Sequence, residues 1–198
     1  MKRLIVLVTG INILGLGTAV CNFTGLGIDP INAFAVAVSD LMNVQLGMFL
    51  LVLQFLLGIG VFIFKRENIG VGTIVPMITF GYFLQFFNWL IPQFVSNSNS
   101  LIVNSIIFIF GMLIIAFGMS MYMSCKVGMV PYDSVAFILS ERIGKNPAVF
   151  RIAIDAIVAV IAFFLGGPIN IGTVLLAVSI GPLIDFYRRK VFHKMFIV

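Results

Sequence analysis

Residues 10–87 and 111–187 of this 198-residue chain are two versions of one pattern. Gly10 falls on Gly111, Gly17 on Gly118, Gly27 on Gly128 and Pro30 on Pro131. Ala35 matches Ala136, Ser39 matches Ser140, Phe49 matches Phe150 and Phe62 matches Phe163, all at an offset of 101. One residue is then lost in the Lys65–Gly70 turn. Beyond it Gly72 matches Gly172, Thr73 matches Thr173, Gly81 matches Gly181 and Phe86 matches Phe186, at an offset of 100. Any apolar chain will match Leu to Ile by chance. Glycines and prolines do not stay in register over such a span unless the backbone geometry they serve is also repeated. A duplication of this kind points first to a transporter built from two repeats around a midplane site.

The membrane follows from composition. The chain is 61% hydrophobic and 10% charged, more apolar than a soluble core of this length needs. The expected fold class is therefore an all-α membrane protein. Apolar stretches run near 4–24, 46–64, 71–92, 101–124, 148–166 and 171–187. Each is about the length that crosses roughly 30 Å of hydrocarbon. Lys2-Arg3 before the first stretch is reminiscent of a signal peptide, but no small-x-small cleavage site follows and the stretch pairs with 106–124, so it is read as a retained span.

Charge decides between six crossings and eight. With six, both termini in the cytoplasm and the two short segments not crossing, all 12 Lys and Arg fall on the cytoplasmic side. The outer loops then hold Asp29, Asp40, the uncharged 96–100 stretch and Gly166-Gly167-Pro168. Eight crossings would move Lys65, Arg66 and Lys126 outside, against the positive-inside rule. Three spans per copy is odd, so the second copy runs opposite to the first. The expected organisation is a first repeat at 1–95, a polar linker at 96–100 and a second, inverted repeat at 101–198. The net charge of +5 is topology of this kind, not a nucleic-acid footprint.

Two segments, 30–43 and 131–143, are too short for a comfortable span. Each follows a Gly-x-x-Pro element. Gly27 and Gly128 suit a sharp turn, Pro30 and Pro131 suit the first helical position, and Asp29 can cap the exposed amides. The segments either re-enter the membrane, with their starts near the midplane, or lie flat in the interface. Asp40, Glu141, Arg142 and Lys145 at their far ends fit both alternatives.

Polar residues inside spans are costly and face a cavity or a partner. The repeat pairs Gln54 with Asp155, Asn32 with Asp133 and Gln85 with Asp185. Asp155 has Arg151 four residues before it on the same helical face. That pair is either a substrate or proton site with its counter-ion, or a structural ion pair. The candidate substrate-binding residues are Asp155, Gln54, Asp29, Asn32, Asp133 and Arg151. Helix starts attract anions, whereas aspartates there favour cations or simply cap the helix. Asp185, before Tyr187-Arg188-Arg189-Lys190, reads as an interfacial residue, and so does His193.

No cofactor or metal is expected. Cys21 and Cys125 do not correspond in the repeat and are not expected to pair. Met112, Met119, Met121, Met123 and Met129 scatter around a helix and read as packing. The glycines read as sites of close helix approach, and no phosphate loop is present. Trp89, Tyr82, Tyr122 and Tyr187 lie near span ends, as interfacial aromatics do. No nucleophile–base–acid constellation points to an enzyme.

The pattern Gly27-Ile-Asp-Pro-Ile-Asn32 with Gly128-Met-Val-Pro-Tyr-Asp133, followed by Phe150-Arg-Ile-Ala-Ile-Asp155 and by Ile171-Gly-Thr-Val and Gly181-Pro-Leu-Ile-Asp185, resembles the YczE/YyaS/YitT-like bacterial membrane proteins over nearly the whole chain. The resemblance implies a small multi-pass protein of the bacterial cytoplasmic (inner) membrane. The first functional expectation is a small-metabolite transporter or exporter. The alternatives are a substrate-binding membrane subunit of a multi-component importer, and a non-transporting accessory protein for a biosynthetic or signalling enzyme. Expected partners are the lipid bilayer and a small-molecule ligand, with a homodimer or association with other membrane or ATPase subunits compatible with the size.

Overall fold

The computed structural model describes residues 2–96, 100–128, 130–144 and 147–192. Among these the chain is helical. It forms α1 (Lys2–Phe23), α2 (Pro30–Met42), α3 (Leu46–Phe64), a 3-10 turn at Arg66–Asn68, α4 (Val71–Phe94), α5 (Leu101–Ser124), α6 (Pro131–Ile143), α7 (Pro147–Phe164) and α8 (Ile171–Lys190). Helices are what a hydrocarbon solvent permits, because each satisfies its own backbone polar groups. Five of them, α1, α3, α4, α5 and α8, are long and apolar enough to cross a membrane. The sixth expected span, α7, is not among those five; its 18 residues rise about 27 Å and carry Arg151 and Asp155. Most of the outward surface is apolar. Phe94 and Phe164 are 80% and 82% exposed, and Phe62, Ile63, Phe110, Phe163 and Val178 are also bare. So much contiguous apolar exposure fits lipid and not water, and the chain is a multi-pass membrane protein.

α1 and α5 form the spine. Gly10 lies against the Gly118 carbonyl and the Tyr122 backbone, and Gly17 lies against the Gly111 carbonyl and the Ile115 backbone. Rising numbers on one helix meet falling numbers on the other, so the two run antiparallel. At each of these glycines, and at Gly111 and Gly118, an added Cβ would come within 3.0 Å of a neighbouring atom. Small residues let helices approach where no aqueous hydrophobic drive pulls them together.

The remaining contacts come in matched pairs. α1 packs on α4 and α5 packs on α8; α2 packs on α7 and α6 packs on α3. Cys21 clusters with Phe108 and Met112, while Tyr122, at the position matching Cys21, clusters with Leu7 and Ile11. The loop before each short helix seals the start of a long helix in the other half. Gly172 N–H donates to the Leu26 carbonyl and Gly72 N–H donates to the Val127 carbonyl, each at 2.8 Å. Gly27 (φ +110°) presses on Thr173 and Gly128 (φ +127°) presses on Thr73. One pair is unmatched: α3 packs along α4, whereas α7 and α8 scarcely touch.

α2 and α6 are enclosed by protein. Ala33, Ala35 and Ala37 of α2 are buried, and Gly167, at the end of α7, abuts the Ala33 carbonyl and Ala37. α6 lies between α3 and α7. Its far end is tied to α3 by a Lys65–Glu141 ion pair and by the Arg142 guanidinium over the Phe64 ring at 4.5 Å.

The spine makes a testable contrast. Gly17→Val meets backbone that cannot retreat, and should cost about 3 kcal/mol or more by overpacking. Gly60→Ala, in α3 with nothing within 4 Å of the added Cβ, should gain about 0.5 kcal/mol from helix propensity. Thermal unfolding of the detergent-solubilised variants should move in opposite directions; equal effects would mean that the close approach of α1 and α5 is not what holds the bundle.

Candidate functional site

The short-helix starts differ in their chemistry. Asp29 caps α2: its Oδ1 accepts from Asn32 N–H at 3.3 Å, and its Oδ2 accepts from Asn32 Nδ2–H at 2.7 Å. Because a carboxylate only accepts, this bond fixes the Asn32 amide with its oxygen turned away. That oxygen is buried and has no hydrogen-bond partner among the described residues. The first turn of α6 has no side-chain cap, and Asp133 is spent elsewhere.

Arg151 gathers the second half. It pairs with Asp133, and its Nε donates to Asp155 Oδ2 at 3.0 Å. Tyr132 O–H donates to Asp155 Oδ1 at 2.5 Å, and the guanidinium sits 4.9 Å from the Tyr132 ring centroid. Tyr122 O–H donates to Asp133 Oδ2 at 3.2 Å. Two carboxylates thus share one guanidinium and two phenols. Charged partners of this kind make the stronger hydrogen bonds.

Gln54, at the middle of α3, is 7% exposed, and its Oε1 has no partner among the described residues. All six sequence candidates, Asp29, Asn32, Gln54, Asp133, Arg151 and Asp155, line one cavity of about 580 Å³, in the range of small-molecule sites. Its walls include Ile11 and Thr18 of α1, Phe80 of α4, Met119 of α5 and Ala177 of α8. Gln54 and Asp155 mark the mid-lengths of α3 and α7, so the cavity lies halfway along the long helices. Among the described residues, no three His, Cys, Asp or Glu side chains are grouped to hold a metal.

Several other polar residues lie apart from this cavity. Gln85 accepts from Gly47 N–H at 2.8 Å, beside a second pocket of about 360 Å³ that also takes in Asn22, Ser39, Asp40 and Asn88. Asp185 is exposed. Trp89 and Tyr82 are exposed, as interfacial aromatics are, but Tyr122 is not one of them. It is 2% exposed, because the close approach at Gly10 turns it inward. Tyr132 is the site residue that sequence reasoning passed over; its signal was adjacency to Pro131 and Asp133 at a helix start. Met129, Lys145 and His193 lie outside the described residues.

Helices around a buried, charged, otherwise apolar cavity define a class: small multi-pass helical membrane proteins with an internal polar site. The chain belongs to the family of unknown function DUF6198, whose model matches residues 1–189. It is similar to the uncharacterized membrane protein YczE of Bacillus subtilis, 29% identical over 161 residues, covering 81% of this chain and 73% of that protein. An uncharacterized protein of Haemophilus influenzae is 26% identical over 189 residues, covering 94% and 83%. The uncharacterized protein YyaS of Bacillus subtilis is 28% identical over 189 residues, covering 95% and 92%. No solved structure matches the chain.

The network predicts a sign reversal. Arg151→Met leaves Asp133 and Asp155 without their shared cation in a partly exposed site and should cost about 2 kcal/mol. Adding Asp133→Asn and Asp155→Asn should recover most of that loss in thermal unfolding. Gln54→Leu removes an unpaired acceptor and should stabilise the ligand-free protein by about 1 kcal/mol. A destabilised Gln54→Leu would show that the amide is satisfied.

Proposed function

We propose that the protein is a transporter or exporter of a small metabolite in the bacterial cytoplasmic membrane, and not an enzyme. Its site is the cavity between the two halves. One observation carries this reading: both halves send their polar intramembrane side chains into the same cavity, Asp29, Asn32 and Gln54 from the first and Asp133, Arg151 and Asp155 from the second. Polar groups kept at such cost in an apolar setting mark substrate or ion paths.

In this reading the halves are inverted repeats with six crossings, α7 being the sixth, and both termini are cytoplasmic. The antiparallel α1–α5 spine, the paired packing and the positive-inside count support it. The short helices α2 and α6 re-enter from opposite sides. Their protein-enclosed walls and the depth of Asp29 and Asp133 favour this over helices lying flat in the interface. Alternating access would rock one half against the other about the fixed site.

Topology is checked by cysteine labelling in a Cys21→Ser, Cys125→Ser background. Lys65→Cys should react from the cytoplasmic side only, and Asp40→Cys and Gly166→Cys from the outer side only. Labelling of Lys65→Cys from outside would restore the eight-crossing arrangement. Function is checked with a metabolite panel. A ligand that binds only the folded state raises its stability by about 2.7 kcal/mol at a hundredfold excess over Kd. The shift should vanish in Asp29→Asn while that variant still folds, and the same compound should cross proteoliposome membranes only when the protein is present. Absence of both binding and flux across the panel would remove the transporter reading in favour of an accessory role.

A further inference from the structure

The cavity is electrostatically unfinished on one side. In the second half, Arg151 answers Asp133 and Asp155. The position matching Arg151 in the first half is Leu50, which is 1% exposed. The first half therefore has acceptors without a cation. Asp29 forms no ion pair among the described residues; its carboxylate accepts from Asn32. Asn32 and Gln54 are more than nine-tenths buried and line the same cavity; the amide oxygen of each lies enclosed just behind its wall, with no hydrogen-bond partner among the described residues. A carboxylate and two amide oxygens are all acceptors. The complementary group carries several N–H donors and a positive charge. An anion would meet carboxylates, and a neutral apolar molecule would leave the amide oxygens unpaired, which is the costlier outcome.

The cavity is unfinished in packing too. α3 closes against α4, but α7 and α8 leave a gap. Ile152, Val174 and Val178 line the cavity and are 68%, 65% and 71% exposed, more than the wall of a closed cavity would be. Side chains that belong to both surfaces mark a lateral opening. An apolar chain reaching out between α7 and α8 would lie among hydrocarbon.

We infer that the ligand is an amphiphilic primary or secondary ammonium compound, its nitrogen bound by Asp29, Asn32 and Gln54 and its apolar part directed through the α7–α8 opening. This rests on the reading of the cavity as a substrate site. It names the half of the cavity that takes the charge, and assigns Arg151 to structural neutralisation of Asp133 and Asp155.

The test uses the full chain with hexylammonium, hexyltrimethylammonium, 1-hexanol and hexanoate as probes, measured by thermal stability in detergent and by flux in proteoliposomes. Hexylammonium should stabilise in a dose-dependent way. The quaternary compound, which lacks N–H donors, should do so more weakly, and hexanol and hexanoate not at all. Gln54→Leu and Asp29→Asn should each weaken the apparent affinity for hexylammonium by about tenfold or more. Val178→Trp, which narrows the opening, should penalise octylammonium more than butylammonium. Stabilisation by hexanoate or hexanol without hexylammonium would overturn the ammonium assignment and leave a small-molecule site. Unchanged hexylammonium affinity in Gln54→Leu, which is expected to fold, would overturn it as well. Hexylammonium binding without flux would uphold the ligand class and remove the transport reading.

Discussion

The contact on which this molecule depends is backbone against backbone. α1 and α5 meet at glycines, at separations a single Cβ would violate. In water such a contact would be assisted by burial of neighbouring apolar surface, but lipid tails are as apolar as leucine, so close packing must supply the attraction. The antiparallel crossing also sets the geometry of everything else. α4 packs on α1 and α8 on α5, and the starts of both short helices line the one cavity. The cavity is the space that this frame leaves between its two halves.

The sequence pattern shared by the two halves keeps its glycines and prolines in register and changes its polar residues. Asn32 and Gln54 face Asp133 and Asp155 across the repeat, and Leu50 faces Arg151. One half thus neutralises its own carboxylates, with phenols completing their hydrogen bonds, while in the other the amide oxygens of Asn32 and Gln54 have no donor among the described residues. The far ends have diverged as well. α6 is tied to α3 by Lys65 with Glu141 and by Arg142 over Phe64. α2 is held instead along its first half and middle, where Gly167, just past α7, closely approaches Ala33 and Ala37. An electrostatic tie can be released by hydration at modest cost, whereas interlocked backbone must slide or separate.

Much of the arrangement was legible before any coordinates. Glycines and prolines that recur in register state where backbones turn or touch, and they did so at Gly10, Gly17, Gly27 and Pro30 and their counterparts. Intramembrane polar residues are so costly that naming Asp29, Asn32, Gln54, Asp133, Arg151 and Asp155 was enough to find one cavity. Partnership was not legible. Periodicity put Arg151 beside Asp155, but the capture of Asp133 and the inward turn of Tyr122 depend on helix rotation set by tertiary contact. Tyr132 carried a cue too common in spans to stand out. The gap between α7 and α8 was invisible because it is a matter of fit between helices, which composition does not report.

The reciprocal loops have a consequence for synthesis. One amide in the first turn of α4, that of Gly72, is sealed by Val127, and one in the first turn of α8, that of Gly172, by Leu26. While the ribosome is still making the linker, the first half has an open helix start that only later chain can close, and it holds in reserve the carbonyl that α8 will need. Neither half can be finished alone. The two helix starts are therefore closed together, each by chain from the other half, once both halves are in place.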